Sequence, residues 1–188
     1  MLYPIKEYGK YAEITGYRDI KFAGAEEFLK ANRKETSAKV DVQFFDACLI
    51  ATQEHLYFAV LNALQAFQNK TNVSKSLAME TMLYASARRQ IQKAIQRCGI
   101  KPETTNMAVI IIGEDPTQLK TMLDAIGACV GVEPDEKVLE MSNFKKHKIT
   151  EVFRITDQEL KAVMKNENRV EAVVNLVIER VALLPTQL

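Results

Sequence analysis

The sequence predicts an α+β fold: one compact domain over residues 1–188, mostly helical, with a small mixed or antiparallel sheet. Three observations predict it. Strand-like and helix-like stretches do not alternate regularly, which argues against a doubly wound sheet. Met107–Ile112 (MAVIII) is continuously apolar and bounded by Gly113, the pattern of a central strand. Most of the remainder carries helical periodicity with recognisable caps. A chain of 188 residues, 47% apolar, is long enough to bury a core without disulfides or metal.

The elements follow in order. Lys10–Ile20 (KYAEITGYRDI) reads as a strand with Gly16 as a turn or bulge. Gly24–Asn32 (GAEEFLKAN) reads as a short helix, with Glu26 and Glu27 in the first turn, where the helix dipole favours acids. Lys39–Phe45 alternates, placing Val40, Val42 and Phe44 on one face of a strand. Thr52 caps a helix running to about Asn69. His55, Asn62 and Asn69 form its one regular polar line, so it is buried on most sides. His55 reads as a capping or satisfied structural histidine before it reads as a catalytic one. Two helices follow over Ser76–Tyr84 and Arg88–Cys98, with Ser86 as the candidate cap of the second and Gly99 as its stop.

After the apolar strand, Asp115-Pro116 opens a helix: Asp115 is the cap, Pro116 the first helical residue, and Gln118 lies three residues past the cap. It ends near Gly127 or Gly131. Lys137–Glu140 reads as a short strand and Asn143–Phe153 as a weak helix. Thr156–Glu159 (TDQE) is a capping box for a helix through Met164. The last helix spans Asn168–Leu184 and stops at Pro185.

Composition narrows the function classes. Net charge is +1, so no global field draws the chain to nucleic acid. Its three cysteines share no short spacing, which disfavours a disulfide framework or zinc site and fits a reducing compartment. The opening MLYPIKEYGKY lacks a hydrophobic signal core, and no apolar run approaches the roughly 20 residues of a membrane span. The expectation is a soluble cytoplasmic protein with no membrane or metal partner.

Candidate chemistry is sparse. Ala108–Leu119 (AVIIIGEDPTQL) has the strand, glycine turn and helix start of a phosphate cradle. It has one glycine and no Walker lysine, and Glu114 and Asp115 would repel a phosphate, so it reads as a plain turn. Ser74-Lys75-Ser76 invites a nucleophile with a lysine base, but it matches neither SxxK nor GxSxG, and helix capping explains the serines. His55 and His147 lie far apart, and no HExxH or paired-carboxylate pattern occurs. Nothing in the residues argues for catalysis.

The charge is unevenly placed. Lys70 to Lys101 holds seven basic residues against Glu80, a local +6 in a chain of net +1. Arg89, Lys93 and Arg97 recur every four residues, on one helix face. Serines, arginines and Gln90 near a helix start combine N–H donors, guanidinium forks and amides, which suit the phosphates and base edges of a single strand. Tyr84 is either a stacking face or core. In the last helix, Glu171, Asn175 and Glu179 form a narrow polar stripe within a wide apolar surface. That surface is either covered by the chain's own core or divided between core and a docking face for another protein. On residues alone two classes stay open: a nucleic-acid-binding adaptor, and a small enzyme using the Ser74–Lys75 turn.

Three stretches carry a resemblance: HLYFAVLNALQAF (His55–Phe67), NVSKSLAMETMLYAS (Asn72–Ser86) and RQIQKAI (Arg89–Ile95). The sequence resembles the TPRKB-like family, the small kinase-binding subunit of the KEOPS complex, from roughly Phe44 to the C-terminus. The middle motif is the longest and most specific. The resemblance implies a non-catalytic subunit without a cofactor. KEOPS makes the threonylcarbamoyl modification of the adenosine beside the tRNA anticodon, through a separate transferase subunit and a small kinase that acts as an ATPase. Family members bind the kinase's N-terminal lobe, and archaeal ones grip the single-stranded 3′ CCA end of tRNA. The resemblance thus implies the kinase/ATPase subunit and tRNA as direct partners, and other KEOPS subunits as indirect ones. It implies a 3′-end pocket lined by Asn72, Ser74, Lys75, Ser76, Arg88, Arg89 and Gln90, with Lys93 extending its field. The kinase-docking face would include Val174, Val177, Ile178, Val181 and Leu184. The alternative within the family is a kinase-binding scaffold without tRNA affinity of its own.

Overall fold

The computed structural model describes residues 1–21 and 40–186. The helix expected over Gly24–Asn32 lies outside the described residues. Four strands, β1 (Leu2–Ile5), β2 (Lys10–Tyr17), β3 (Val40–Asp46) and β4 (Met107–Gly113), form one antiparallel sheet in the order β1-β2-β4-β3. Helices α1 (Gln53–Gln68), α2 (Leu77–Ala85), α3 (Ile91–Cys98), α4 (Pro116–Val130), α5 (Asn143–Val152), α6 (Asp157–Val163) and α7 (Arg169–Ala182) complete the described α+β domain. None of the described helices is long and apolar enough to cross a membrane.

β4 explains the architecture. It pairs with β2 on one side and β3 on the other, and all seven of its residues are buried. Its side chains alternate between two cores. Ala108, Ile110 and Ile112 join Ala12, Ile14 and Phe45 under α1, α2 and α7. Met107, Val109 and Ile111 join Tyr17, Phe44, Leu119, Ile126 and Val130 beneath α4. A strand covered on both faces must be apolar at every position, which is why its sequence shows no alternation. Val40 and Val42 pack with Phe44 on the α4 side, as the alternation of β3 predicts.

The first helices are tied together by a buried histidine. Thr52 caps α1, accepting from the His55 N–H. The His55 ring is fully buried; Nδ1 accepts from Ala51 N–H at 3.1 Å and Nε2 lies 2.8 Å from the Ala85 carbonyl. A backbone donor at Nδ1 and a backbone acceptor at Nε2 require the neutral Nε2–H tautomer. Burial holds the pKa down, to about 4, and outweighs the hydrogen bond to Ala85. His55 therefore fixes the start of α1 against the end of α2.

Three of the described helices end on a left-handed residue that is not glycine. After α1, Lys70 takes φ 58 while Lys70 N–H and Thr71 N–H bond back to Phe67 and Ala66 carbonyls. After α2, Ala87 takes φ 49, with Ala87 and Arg88 N–H groups returning to Tyr84 and Leu83. After α5, Arg154 takes φ 53, with Arg154 and Ile155 N–H groups returning to Glu151 and Thr150. Each is a Schellman ending, which satisfies the last carbonyls, but a side chain at that left-handed position costs on the order of 1 kcal/mol relative to glycine.

Several local expectations change. Gly16 is neither turn nor bulge: it sits in register opposite Ala108. A Cβ there would meet Asp135 O and Val138 Cβ at 3.0 Å, so glycine admits the segment crossing the strand. That segment is a 3₁₀ turn over Glu136–Leu139 rather than a strand, because Asp135 accepts from Lys137 N–H and starts a turn. Ser86 terminates α2 instead of opening α3, and its hydroxyl donates to Leu83 O. α3 begins after Gln90. The other predicted caps stand: Asp115 with Pro116 opens α4, Gly131 (φ 72) ends it, and Thr156 with Glu159 forms the capping box of α6.

Stability should depend on pH through two buried bases. His55 binds a proton in the unfolded chain near pH 6.5 but in the folded chain only near 4, so stability falls as pH drops through that window. Lys145, 6% exposed with Nζ donating to Val138 O, is held by burial to about 8 against an ordinary 10.5, so stability rises from pH 8 to 10.5. The buried Cys98 thiol, pushed up from 9 to about 12, opposes the Lys145 limb above pH 9; denaturant midpoints should show the acid limb directly, and the parent should gain on Lys145→Met as pH rises from 8 to 10.5.

Candidate nucleic-acid interface

The basic segment folds into a turn, a buried helix and an amphipathic helix. The turn, residues 72–76, is built by Glu80. This carboxylate is 2% exposed and accepts from Val73 N–H at 3.0 Å and Ser74 N–H at 2.7 Å. The one acid in the basic segment therefore serves the backbone rather than the ligand face. Ser74 Oγ accepts from Ser76 N–H, Ser76 Oγ caps α2 through Met79 N–H, and Asn72 Nδ2 donates to Ser74 O.

These bonds sort the predicted residues. Asn72, Ser74 and Ser76 shape the turn, and Ser74 is buried. A nucleophilic Ser74 would need an approachable hydroxyl, and this one is covered and spent on the turn. Lys75 is exposed at the turn's tip. Arg89, Gln90 and Lys93 come together with Val73, Ile91, Gln92 and Gln96 around an open pocket of about 520 Å³. Arg88, half-buried, stands one residue before the lining. Arg97 does not extend the same exposed face: its Nη1 donates to Ser86 O at 3.0 Å and its guanidinium lies over the Phe153 ring. Tyr84 is core, 6% exposed, so it offers no stacking face.

The sequence reading missed the apolar part of the lining. Val73 and Ile91, which line the pocket, are 50% and 39% exposed, and Ile95, outside the lining, is 43% exposed; on α3 only Ala94 and Cys98 are buried. Ile91 and Ile95 lie four apart, the spacing of one helix face, and from sequence that spacing signals core. The pocket thus combines apolar side chains, amides from Gln90, Gln92 and Gln96, and cations from Arg89 and Lys93. Such a surface can pack against unstacked bases, bond their edges and hold phosphates.

The docking face anticipated on α7 is largely internal. Val177, Val181 and Leu184 are buried in the chain's own core, so they cannot meet a partner without unfolding it. The apolar surface is wide because α1, α5 and α6 all pack on α7. Val174 and Ile178 remain half-exposed along one edge, and Val170 is exposed at the start.

Removing the Glu80 carboxylate leaves two N–H groups without their acceptor, at a cost of about 2–4 kcal/mol. Glu80→Ala should lower the unfolding free energy by that amount, read by denaturant titration.

The family model for kinase binding protein CGI-121 matches residues 17–184. Regulatory protein Cgi121 of Methanocaldococcus jannaschii is 34% identical over 113 residues, covering 60% of this chain and 70% of its own. EKC/KEOPS complex subunit cgi121 of Aspergillus terreus is 26% identical over 103 residues, covering 55% of this chain and 51% of its own. The Coccidioides immitis subunit is 25% identical over 103 residues, covering 55% and 48%. The match thus spans about half the length of the two fungal relatives. With the model matched over most of its length, the chain belongs to the kinase binding protein CGI-121 family.

Proposed function

We propose that this chain is a non-catalytic KEOPS subunit that binds the complex's kinase/ATPase subunit and holds the single-stranded 3′ CCA end of tRNA. The observation that carries the tRNA part is the pocket in which Val73, Ile91 and three glutamines meet Arg89 and Lys93. The names of the family and of the fungal relatives support the assembly part.

Each group has a role in this reading. Arg89, Lys93 and Lys75 hold phosphates, with Arg88 adding to their field. Gln90, Gln92 and Gln96 reach base edges or ribose hydroxyls, and Val73 and Ile91 receive base faces that no longer stack on each other. Asn72, Ser74 and Ser76 act indirectly, through the turn. The kinase docks on the exposed edge of α7, at Val174 and Ile178.

The test is binding to tRNA with an intact 3′ CCA end and to the same tRNA trimmed of it, across a salt series. Trimming should remove most of the affinity. Neutralising about three phosphates of a single strand should make log affinity fall with log salt at a slope of about −2. Arg89→Glu should weaken binding roughly tenfold with unchanged thermal unfolding. Equal affinity for both tRNAs would reduce the contact to non-specific charge, and binding to neither would leave a kinase-binding scaffold. For the kinase, Val174→Glu and Ile178→Glu should fold normally and bind more weakly; full binding by both would move the docking surface elsewhere. Val177→Glu should fail to fold, because it buries an unpaired charge.

A further inference from the structure

A second cationic cluster lies beyond the pocket, where the end of α3 meets the turn after α5. Arg97 sits on the Phe153 ring, 5.2 Å from guanidinium carbon to centroid, and donates to Ser86 O. Arg180, from α7, reaches the same turn from another element: Nε donates to Phe153 O at 3.1 Å and Nη2 to Arg154 O at 3.4 Å. Two guanidinium groups therefore fix the backbone that carries Arg154. Arg154 itself is exposed and occupies the left-handed position of the Schellman ending, where glycine is the favoured residue.

Charge balance points the same way. Arg88, Arg97, Arg154 and Arg180 gather here, and the carboxylate shown bonded to them is Glu159, 2.8 Å from Arg180. The Arg97 guanidinium is held down to about 10, first by burial and then by Arg88, Arg154 and Arg180. Excess positive charge of this kind is relieved by an anion. Arg97 and Arg180 are spent on carbonyls and the ring, which leaves Arg88 and Arg154 as the contacting groups.

The cluster is continuous with the pocket through Arg88 and Arg89. Arg88 stands beside Arg89 in the chain, so a strand leaving the pocket cations meets Arg88 next and Arg154 beyond it. We propose that Arg88 and Arg154, positioned by Arg97 and Arg180, form a second phosphate-binding site that takes the backbone of the paired stem from which the single-stranded end emerges. The proposal rests on the reading of the pocket as an RNA 3′-end site.

The experiment compares two RNAs on the full chain: a hairpin with an unpaired 3′ tail ending in CCA, and the tail alone as a single-stranded oligonucleotide. Arg154→Gly removes the charge and relieves the left-handed strain, so its thermal unfolding temperature should equal or exceed that of the parent. Its hairpin affinity should fall three- to tenfold, and the hairpin's salt slope should shrink by about 0.9, one duplex phosphate. Its affinity for the oligonucleotide should not change, whereas Arg89→Glu should weaken both. Unaltered hairpin binding by Arg154→Gly, or a wild-type protein that binds hairpin and oligonucleotide equally, overturns the second site and leaves the pocket standing. Binding to neither RNA overturns the pocket and the second site together.

Discussion

The structure depends first on one neutral imidazole. His55 accepts from the backbone before α1 and donates to the last turn of α2, with no solvent at either nitrogen. Water would compete for those bonds at the surface; in a low-dielectric interior they are stronger, and each orphaned partner would be costly. The end of α2 thereby becomes a fixed point. Ser86, one residue further, receives Arg97, and Arg97 lies on Phe153, whose ring also meets the His55 ring edge-on. The chain of contacts runs from a buried histidine to the guanidinium groups at the surface.

A second constraint is the division of labour among polar groups in the basic segment. Glu80 turns inward and organises backbone, as do Asn72, Ser74 and Ser76. Lys70, Lys75, Arg89 and Lys93 remain outside, while Arg88 and Arg97 are half-buried. With its one acid buried, the segment presents these exposed bases without a neighbouring carboxylate of its own, while the buried carboxylate prevents a turn of N–H groups from being left unsatisfied. The specificity of the motif from Asn72 to Ser86 thus reflects folding of the turn as much as contact with a ligand.

Fold class, the central place of β4, and the caps at Thr52, Asp115 and Thr156 were legible because each rests on local chemistry: apolar continuity, a side-chain acceptor, a proline at the first helical position. What escaped depends on neighbours. Gly16 looked like a bulge because the crossing segment at Asp135 is more than a hundred residues away. Ser86 offered a good cap to the following helix, but the Schellman ending of α2 claimed it. Val177, Val181 and Leu184 looked available because periodicity reports how wide an apolar face is and not how many elements cover it. Ile91 and Ile95 erred in the opposite direction: their spacing signals core, yet the small Ala94 and Cys98 are what α3 buries. Of the candidate site, the cations were legible from composition, while the apolar and amide lining emerged only from the folded surface.

The position of β4 also orders the making of the protein. β1 and β2 form a hairpin from adjacent sequence, but β2 and β3 never touch edge to edge; the strand between them begins at residue 107. Until that strand is synthesised, β2 and β3 each present an open edge, and the helices between β3 and β4 have no sheet to cover. Closure of so non-local a pairing is slow compared with helix formation. During translation β2 and β3 therefore stay unsealed until β4 emerges, the interval in which a small antiparallel sheet is most exposed to pairing with the wrong neighbour.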